Sequence, residues 1–133
     1  MNIALLAHDR KKELMVQFCI AYCGILAGHS VCATATTGKL VSEATGLPIK
    51  LYLSAAQGGA QQIGAQIAYN ELDLVLFFCD PAYVETGGGT VTEIARLCDK
   101  HSVPFASNVA TAEVLIQGLK RGDLDWRDII NPK

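Results

Sequence analysis

An unbroken run of apolar side chains at residues 74–79, Leu-Val-Leu-Phe-Phe-Cys, constrains the fold of this chain more than any other feature. A strand with one face in water alternates apolar and polar residues, and this run contains no polar residue. A strand that is apolar on both faces has to be covered on both. That arrangement is typical of a parallel sheet lying between two layers of helices, so the run predicts an α/β protein.

Short apolar runs alternate with helical periodicity along the rest of the chain. Strand-length runs occupy residues 2–7, 30–34, 49–53, 73–79 and 103–106. Helical periodicity occupies residues 10–27, 38–45, 60–70, 90–101 and 109–119. Because helices separate successive strands, we expect a three-layer, doubly wound parallel sheet of about five strands. No linker, low-complexity stretch or repeat interrupts the pattern, so a single domain over residues 1–133 is expected.

Composition narrows the classes of partner. Half of the residues are hydrophobic, 18% are charged and the net charge is −2. The basic residues are scattered apart from residues 10–12, so no stripe is present that would neutralise a nucleic-acid backbone. No apolar run has the length that a bilayer requires, and residues 2–12 do not resemble a secretory signal. We expect a cytoplasmic protein without nucleic-acid or membrane partners. If the protein binds an anion, we expect that anion to be small.

The five cysteines do not form a metal-binding pattern. They show no CxxC pair and no Cys/His cluster with zinc spacing, and most of their neighbours are apolar. We predict reduced, buried thiols that behave as small hydrophobic side chains, and no metal site. The residues concerned are Cys19, Cys23, Cys32, Cys79 and Cys98.

Polar residues follow each predicted strand. In an open parallel sheet, ligands bind outside the carboxyl ends of the strands, so these residues are expected to meet at one edge. They are His8 and Asp9 with Lys12 one helical turn later, residues 34–38, Ser54 with Gly58 and Gly59, Asp80, and Ser107 with Asn108.

Several of these residues predict a phosphate site. Thr34, Thr36 and Thr37 offer hydroxyls and backbone amides at the start of a helix, where free N–H groups favour an anion. Threonines and glycines also cap helices and close turns, and for this short motif alone that interpretation would be preferred. Its coincidence with other donors favours a site that we call the phosphate cradle. The cradle comprises Lys12, Thr34, Thr36, Thr37, Ser54, Gly58 and Gly59.

The candidates for proton transfer are Asp80, Asp9 and His8. Asp80 follows the central apolar run and precedes Pro81, which suits either a general base or a turn residue. His8 beside Asp9 fits two interpretations. In the first, His8 is an electrophile that Asp9 orients; in the second, His8 forms hydrogen bonds with backbone groups and has no catalytic role. Residues 81–89 form the longest loop and end in three glycines, which favours a mobile lid.

Helix caps are also predicted from the residues at the helix starts. Asn108 is expected to cap the last helix, and Thr90 with Glu93 forms a candidate capping box. Asp9 is expected to cap the first helix, and Thr36 or Thr37 the second.

Six blocks of sequence resemble the methylglyoxal synthase family over nearly the whole chain. They are His8-Asp9-x-x-Lys12, Ala33-Thr-x-Thr-Thr-Gly38, Leu53-Ser54, Gly58-Gly-x-Gln-Gln-x-Gly64, Phe77-Phe-x-Asp-Pro81 and Pro104-x-Ala-x-Asn-Val-Ala-Thr-Ala112. The resemblance implies a flavodoxin-like sheet, a cytoplasmic homohexamer and elimination of phosphate from dihydroxyacetone phosphate to give methylglyoxal. It also implies that neither a metal nor an organic cofactor takes part.

By this resemblance, two groups of residues carry over to the family's site. The family's phosphate-contacting positions match Lys12, Thr34, Thr36, Thr37 and Ser54. Acidic or histidine positions lining its pocket match His8, Asp9 and Asp80.

Other positions depart from the family pattern. Ala60 stands where the family has the aspartate proposed as its base, and Gly87 where it usually has a histidine that polarises the carbonyl. Thr90 replaces a second aspartate, and Ala35 and Ala55 replace glycines. The arginine near the family's carboxyl terminus has no clear equivalent in this chain.

Three hypotheses remain open on the sequence. The first is an enzyme in which Asp80, Asp9 or Glu85 of the loop substitutes for the missing base. The second is a non-catalytic binding or regulatory module, similar to the ligand-sensing domain of this fold in carbamoyl phosphate synthetase. The third is an assembly role with a vestigial pocket.

Overall fold

The computed structural model describes residues 1–132 and contains a five-stranded parallel sheet with helices on both faces. The strands are β1 (Asn2–Ala7), β2 (Ser30–Ala33), β3 (Ile49–Leu51), β4 (Leu74–Phe78) and β5 (Phe105–Ala106). The helices are α1 (Lys12–Ala21), α2 (Cys23–Leu26), α3 (Ala35–Thr45), α4 (Gly59–Ala68), α5 (Val91–Lys100), α6 (Val109–Arg121) and α7 (Trp126–Ile130). The three-layer, doubly wound parallel sheet is confirmed.

The central strands are covered on both faces, as the apolar run indicated. On β4, Leu76 packs in a core formed with α1, α3 and α6, while Val75 packs in a second core formed with α4 and α5. On β1, Leu5 and Leu6 divide between the same two cores. The alternation of side chains along a strand therefore gives each helix layer its own apolar surface.

The strand order β3-β2-β1-β4-β5 creates a crevice beside the centre of the sheet. The chain moves outward from β1 through β2 to β3, then returns to the other side of β1 for β4 and β5. This reversal between β1 and β4 is the topological switch point, where open α/β sheets bind ligands. The layers are those of a flavodoxin-like protein, whereas flavodoxin itself has the strand order 2-1-3-4-5.

Two predicted helices begin or end differently in the structure. The segment 10–27 is interrupted at Tyr22, which leaves helical geometry, and a short 3-10 turn (Asp9–Lys11) precedes α1. The helix predicted to start at residue 38 begins at Ala35, because only Thr34 is extended and the following threonines are already helical. Thr36 and Thr37 consequently lie in the first turn of α3, where backbone N–H groups lack helical partners.

The cap predictions are partly correct. The Asn108 side chain accepts from the Thr111 N–H, and Thr90 Oγ1 accepts from the Glu93 N–H. The predicted caps at Asp9, Thr36 and Thr37 are wrong, since neither His8 before the first turn nor Thr34 before α3 makes a side-chain cap bond, and the threonines lie inside the helix.

A carboxyl-terminal helix, α7, was not expected from the sequence. It buries Arg127, whose guanidinium donates to Asp73 Oδ1 (Nε–Oδ1 distance 3.2 Å), to the Leu72 carbonyl and to the Ser102 carbonyl. These partners precede β4 and β5. Arg127 therefore ties the end of the chain to the amino-terminal edge of the sheet.

The cysteines are free thiols, and three of the five are buried. Burial raises the pKa of Cys19 to about 12 and that of Cys98 to about 12. Cys23 and Cys79 are only half-buried, so the expectation of full burial is wrong for these two. Within residues 1–132, none of the helices is long and apolar enough to cross a membrane.

Candidate functional site

A cavity of about 660 Å³ opens at the carboxyl ends of β1 and β4, at the switch point. Most of the residues predicted for the site line it, namely His8, Asp9, Lys12, Thr34, Thr36, Ser54 and Gly58. A depression of about 880 Å³, lined in part by Tyr22, His29 and Arg121, is shallower and more open to solvent. We place the site in the first cavity because it lies at the edge of the sheet where the strand ends bring polar groups together.

His8 is held in one orientation and one tautomer. Its Nδ1 accepts from the Asp80 N–H at 2.9 Å, so the proton of the neutral ring is on Nε2. Nε2 lies 3.0 Å from Glu85 Oε2 and donates to it. The ring lies against Phe77 and Tyr83, with centroid distances of 5.3 and 4.9 Å. His8 is therefore fixed as the N–H donor to Glu85 at the edge of the cavity.

Glu85 reaches the cavity from the loop over residues 81–89. Besides the His8 contact, its oxygens accept from the Val91 N–H at 3.0 and 3.1 Å. Val91 is the first residue of α5, so a carboxylate occupies the positive end of that helix. Sequence reasoning included Glu85 only among alternatives, because its partner His8 is 77 residues away.

The cation of the cradle is Lys12. Its Nζ donates to the Ala7 carbonyl at 2.9 Å and to Asp9 Oδ1 at 2.7 Å. The hydrogen bond and the charge of Lys12 lower the pKa of Asp9, whose side chain is 98% exposed. Asp9 is thus a poor proton acceptor. The Lys12 ammonium has three N–H donors and uses two of them in these contacts, so one remains for a ligand.

The threonines of α3 are divided between the cavity surface and the protein interior. Thr34 and Thr36 line the cavity, although Thr34 itself is largely buried. Thr37 is buried outside the lining, and its Oγ1 has no hydrogen-bond partner among the described residues. Burying a hydroxyl without a hydrogen-bond partner lowers the stability of the folded state, so the Thr37 hydroxyl is the cradle group with the largest unmet hydrogen-bonding capacity.

Ser54, Gly58 and Gly59 form the turn before α4. Ser54 Oγ lies 3.2 Å from Gln57 Oε1, and Ser54 and Gly58 line the cavity. Gly59 does not line it, and a Cβ there would lie 1.8 Å from the Leu53 carbonyl oxygen. The structural reason for glycine at position 59 is therefore the close approach of two backbone segments.

The loop packs directly onto Ala60, the position where the family has an aspartate. Ala60 lines the cavity and is buried in the first turn of α4. Gly89 has φ +74°, and a Cβ on it would lie 2.7 Å from Ala60 Cβ. Glycine at position 89 therefore allows a contact with α4 that a side chain there would disturb.

Asp80 does not line the cavity. Its Oδ1 accepts from the Ala82 N–H at 3.0 Å, and the backbone N–H of Asp80 donates to His8 Nδ1. In this arrangement Asp80 closes a turn and orients His8, and its role as a base stays a prediction.

Among residues 1–132, no group of three or more His, Cys, Asp or Glu side chains is arranged to hold a metal ion.

Comparison with known proteins agrees with this geometry. Residues 15–107 match the family model described as the MGS-like domain. A methylglyoxal synthase of Caldicellulosiruptor saccharolyticus is 56% identical over 133 residues, which cover 100% of this chain and 94% of the relative. A second, from Geobacillus thermodenitrificans, is 51% identical over 98% of this chain and 91% of the relative.

A solved structure has the same fold. The crystal structure of methylglyoxal synthase from Elizabethkingia anophelis superposes with a TM-score of 0.81 at 39% sequence identity. The match covers 86% of this chain and 76% of that one. The sequence matches extend over the whole cavity edge as well as the sheet, and on these grounds the chain belongs to the methylglyoxal synthase family.

Proposed function

We propose that this chain is a lyase that converts dihydroxyacetone phosphate to methylglyoxal and inorganic phosphate. The observation that carries the proposal is that one cavity is lined both by cradle residues and by a paired carboxylate and imidazole, Glu85 and His8. Elimination of phosphate from an α-hydroxy ketone requires both kinds of group, since a proton must be removed while the leaving phosphate is held.

The phosphate end of the substrate fits the cradle. Lys12 supplies a cation, and the first turn of α3 supplies backbone N–H groups beside Thr34 and Thr36. Thr37 is buried outside the cavity lining, so its contact with the phosphate stays a prediction. These groups support binding of a compact dianion without a metal ion.

The direct test is an assay of purified protein with millimolar dihydroxyacetone phosphate. We expect methylglyoxal and phosphate in equal amounts, at a rate that added EDTA does not change. Lys12→Ala should raise KM for dihydroxyacetone phosphate, whereas Lys39→Ala, on the exposed side of the same helix that carries the threonines, should not. Absence of both products above a blank would overturn the proposal.

Ala60 favours a second candidate function. A methyl group cannot accept a proton, and the family's proposed base is an aspartate at that position. The chain would then be a sensor or regulatory module that binds a small phosphorylated metabolite and does not turn it over. Calorimetry distinguishes the two, since saturable binding of dihydroxyacetone phosphate or inorganic phosphate without product formation supports the sensor.

We further propose a cytoplasmic homo-oligomer, a hexamer by the family resemblance. Several apolar side chains are exposed on one described chain, including Tyr69, Val84, Val114, Ile129 and Ile130. Burying such side chains between subunits lowers the free energy of the assembly. Multi-angle light scattering should give six times the 14.2 kDa mass of one chain. A monomer at micromolar concentration would contradict this expectation.

A further inference from the structure

We propose that Glu85 is the group that removes the proton from the substrate carbon in this protein, in place of a side chain at position 60. The inference rests on the proposed lyase function and names a catalytic residue for it. It starts from the only carboxylates that line the cavity within residues 1–132, which are Asp9 and Glu85.

Asp9 is poorly suited to accept a proton from carbon. It is paired with Lys12 at 2.7 Å, its pKa is lowered by that contact, and almost all of its side chain is in water. A general base is more effective when its pKa lies near the working pH and when solvent is excluded from it. Asp80 and Glu93 are outside the cavity lining, and each accepts a backbone N–H of its own segment.

Glu85 differs from Asp9 in its surroundings. Its side chain is 19% exposed, and contacts from two different elements, His8 after β1 and Val91 at the start of α5, fix its position. Within the described residues, the contacts of Oε1 consist of one bond from the Val91 N–H at 3.1 Å. A carboxylate oxygen has two acceptor sites, so Oε1 keeps one for the substrate.

Position 60 lies against the loop that carries Glu85. A Cβ on Gly89 would lie 2.7 Å from Ala60 Cβ, so the loop packs closely against the first turn of α4 at this position. An aspartate at position 60 would add a third negative charge to a cavity that Asp9 and Glu85 already line. Ala60 therefore adds no charge beside Glu85 and lies against the loop that carries it.

The proposed step transfers one proton and uses no oxidant or reductant. The Glu85 carboxylate takes a proton from the hydroxymethyl carbon of dihydroxyacetone phosphate, and the electrons of that C–H bond form the C=C bond of an enediolate. The hydroxyl proton on that carbon passes to the neighbouring enolate oxygen. Electrons from the oxygen left on the former hydroxymethyl carbon then form the aldehyde C=O, the C=C bond moves to the terminal carbon, and the C–O bond to phosphate breaks. Phosphate leaves into the cradle and takes up the proton that Glu85 carries, which regenerates the carboxylate. The resulting enol takes up one proton from solvent at its terminal CH₂ carbon, loses the proton of its enol hydroxyl and becomes methylglyoxal.

Three variants test the proposal in the full-length protein. Proton removal is followed as deuterium exchange of the hydroxymethyl hydrogens in D₂O by NMR, and turnover as methylglyoxal formed. Glu85→Gln should lower both rates by about 10²–10⁴-fold, the usual contribution of a general base. Its dissociation constant for inorganic phosphate should remain within about threefold of the wild-type value or decrease, since a negative charge has been removed.

The matched control is Glu93→Gln. Glu93 Oε2 accepts from the Gly89 N–H at 2.8 Å, so this variant removes the negative charge from one anchor of the same loop, keeps an oxygen that accepts the bond, and leaves the cavity lining unchanged. It should keep most of the deuterium exchange and turnover that Glu85→Gln should lose. Ala60→Asp provides a test that does not alter Glu85, and it should give no gain in turnover.

Each outcome decides the proposal. Exchange by Glu85→Gln at a rate close to wild type overturns it, and so does a sharp gain in turnover by Ala60→Asp. Equal losses of exchange and turnover in Glu85→Gln and Glu93→Gln would show that Glu85 only positions the loop. A wild-type protein that binds phosphate but gives neither exchange nor methylglyoxal overturns the lyase function itself, whereas an active wild type with an active Glu85→Gln variant overturns only the role of Glu85.

Discussion

The two edges of the sheet use charged residues in opposite ways. At the amino edge, Arg127 and Asp73 are buried and bonded to each other and to backbone groups. At the carboxyl edge, the pairs Lys12–Asp9 and His8–Glu85 border an open cavity. Charges that the protein satisfies internally stabilise its fold, whereas charges that retain bonding capacity beside a cavity are available to a ligand.

The largest effect on stability is expected at the amino edge. Arg127→Met leaves the Asp73 carboxylate buried without its guanidinium, and removing one member of a buried ion pair costs about 3–5 kcal/mol of unfolding free energy. Urea unfolding followed by circular dichroism measures the loss. Arg121→Met is the control, because its pair with Asp123 is exposed and worth about 0–1 kcal/mol. Equal losses in both variants would break the distinction between the two edges.

The next effect is expected in the loop over the cavity. Gly89→Ala forces an L-residue to φ +74° and brings a Cβ to 2.7 Å from Ala60 Cβ, whereas Gly87→Ala at φ +80° meets no atom within 4 Å. The backbone conformation alone costs about 1–2 kcal/mol in each variant. Gly89→Ala should therefore be the less stable of the two and should also lose turnover, because the contact displaces the loop that carries Glu85. Identical melting temperatures and identical rates would contradict the packing of the loop on α4.

A smaller effect is expected at Asn108, which caps α6 at the carboxyl edge but does not line the cavity. Asn108→Ala removes the bond to the Thr111 N–H and should cost about 0.5–2 kcal/mol of unfolding free energy. KM for dihydroxyacetone phosphate should stay unchanged. A raised KM would show that the residues after β5 also contribute to substrate binding.

The smallest effect concerns pH at the amino edge. Burial and the nearby amino terminus lower the pKa of His29 from its ordinary 6.5, and its Nδ1 lies 3.0 Å from the Met1 ammonium. The unfolded chain therefore takes up the proton more readily than the folded one. This contribution to stability is present above pH about 6.5 and is lost as the pH falls through the lowered pKa of the folded state. His29→Gln should show a smaller decrease of the urea midpoint between pH 7 and 5 than wild type, and an equal decrease would contradict this linkage.

Most of the fold was predictable because it follows from local periodicity. The apolar run at residues 74–79 predicted a strand covered on both faces, and its side chains indeed alternate between two cores. The same reasoning placed His8, Lys12, Thr36 and Ser54 after strand ends, and all four line one cavity. Helix boundaries were less predictable, as at Tyr22, because a pattern of apolar residues does not show where the backbone leaves helical geometry.

By itself, then, the sequence determined the doubly wound parallel sheet, the family and the edge on which polar groups meet. Only the tertiary structure decided which of those groups touch. Glu85 contacts His8 across 77 residues of chain, and Arg127 contacts Asp73 across 54. Side-chain patterns report the period of one element, whereas such contacts depend on how distant elements pack. The close approach of Gly89 to Ala60 is of the same kind, because it joins a loop to a helix that begins 30 residues earlier in the chain.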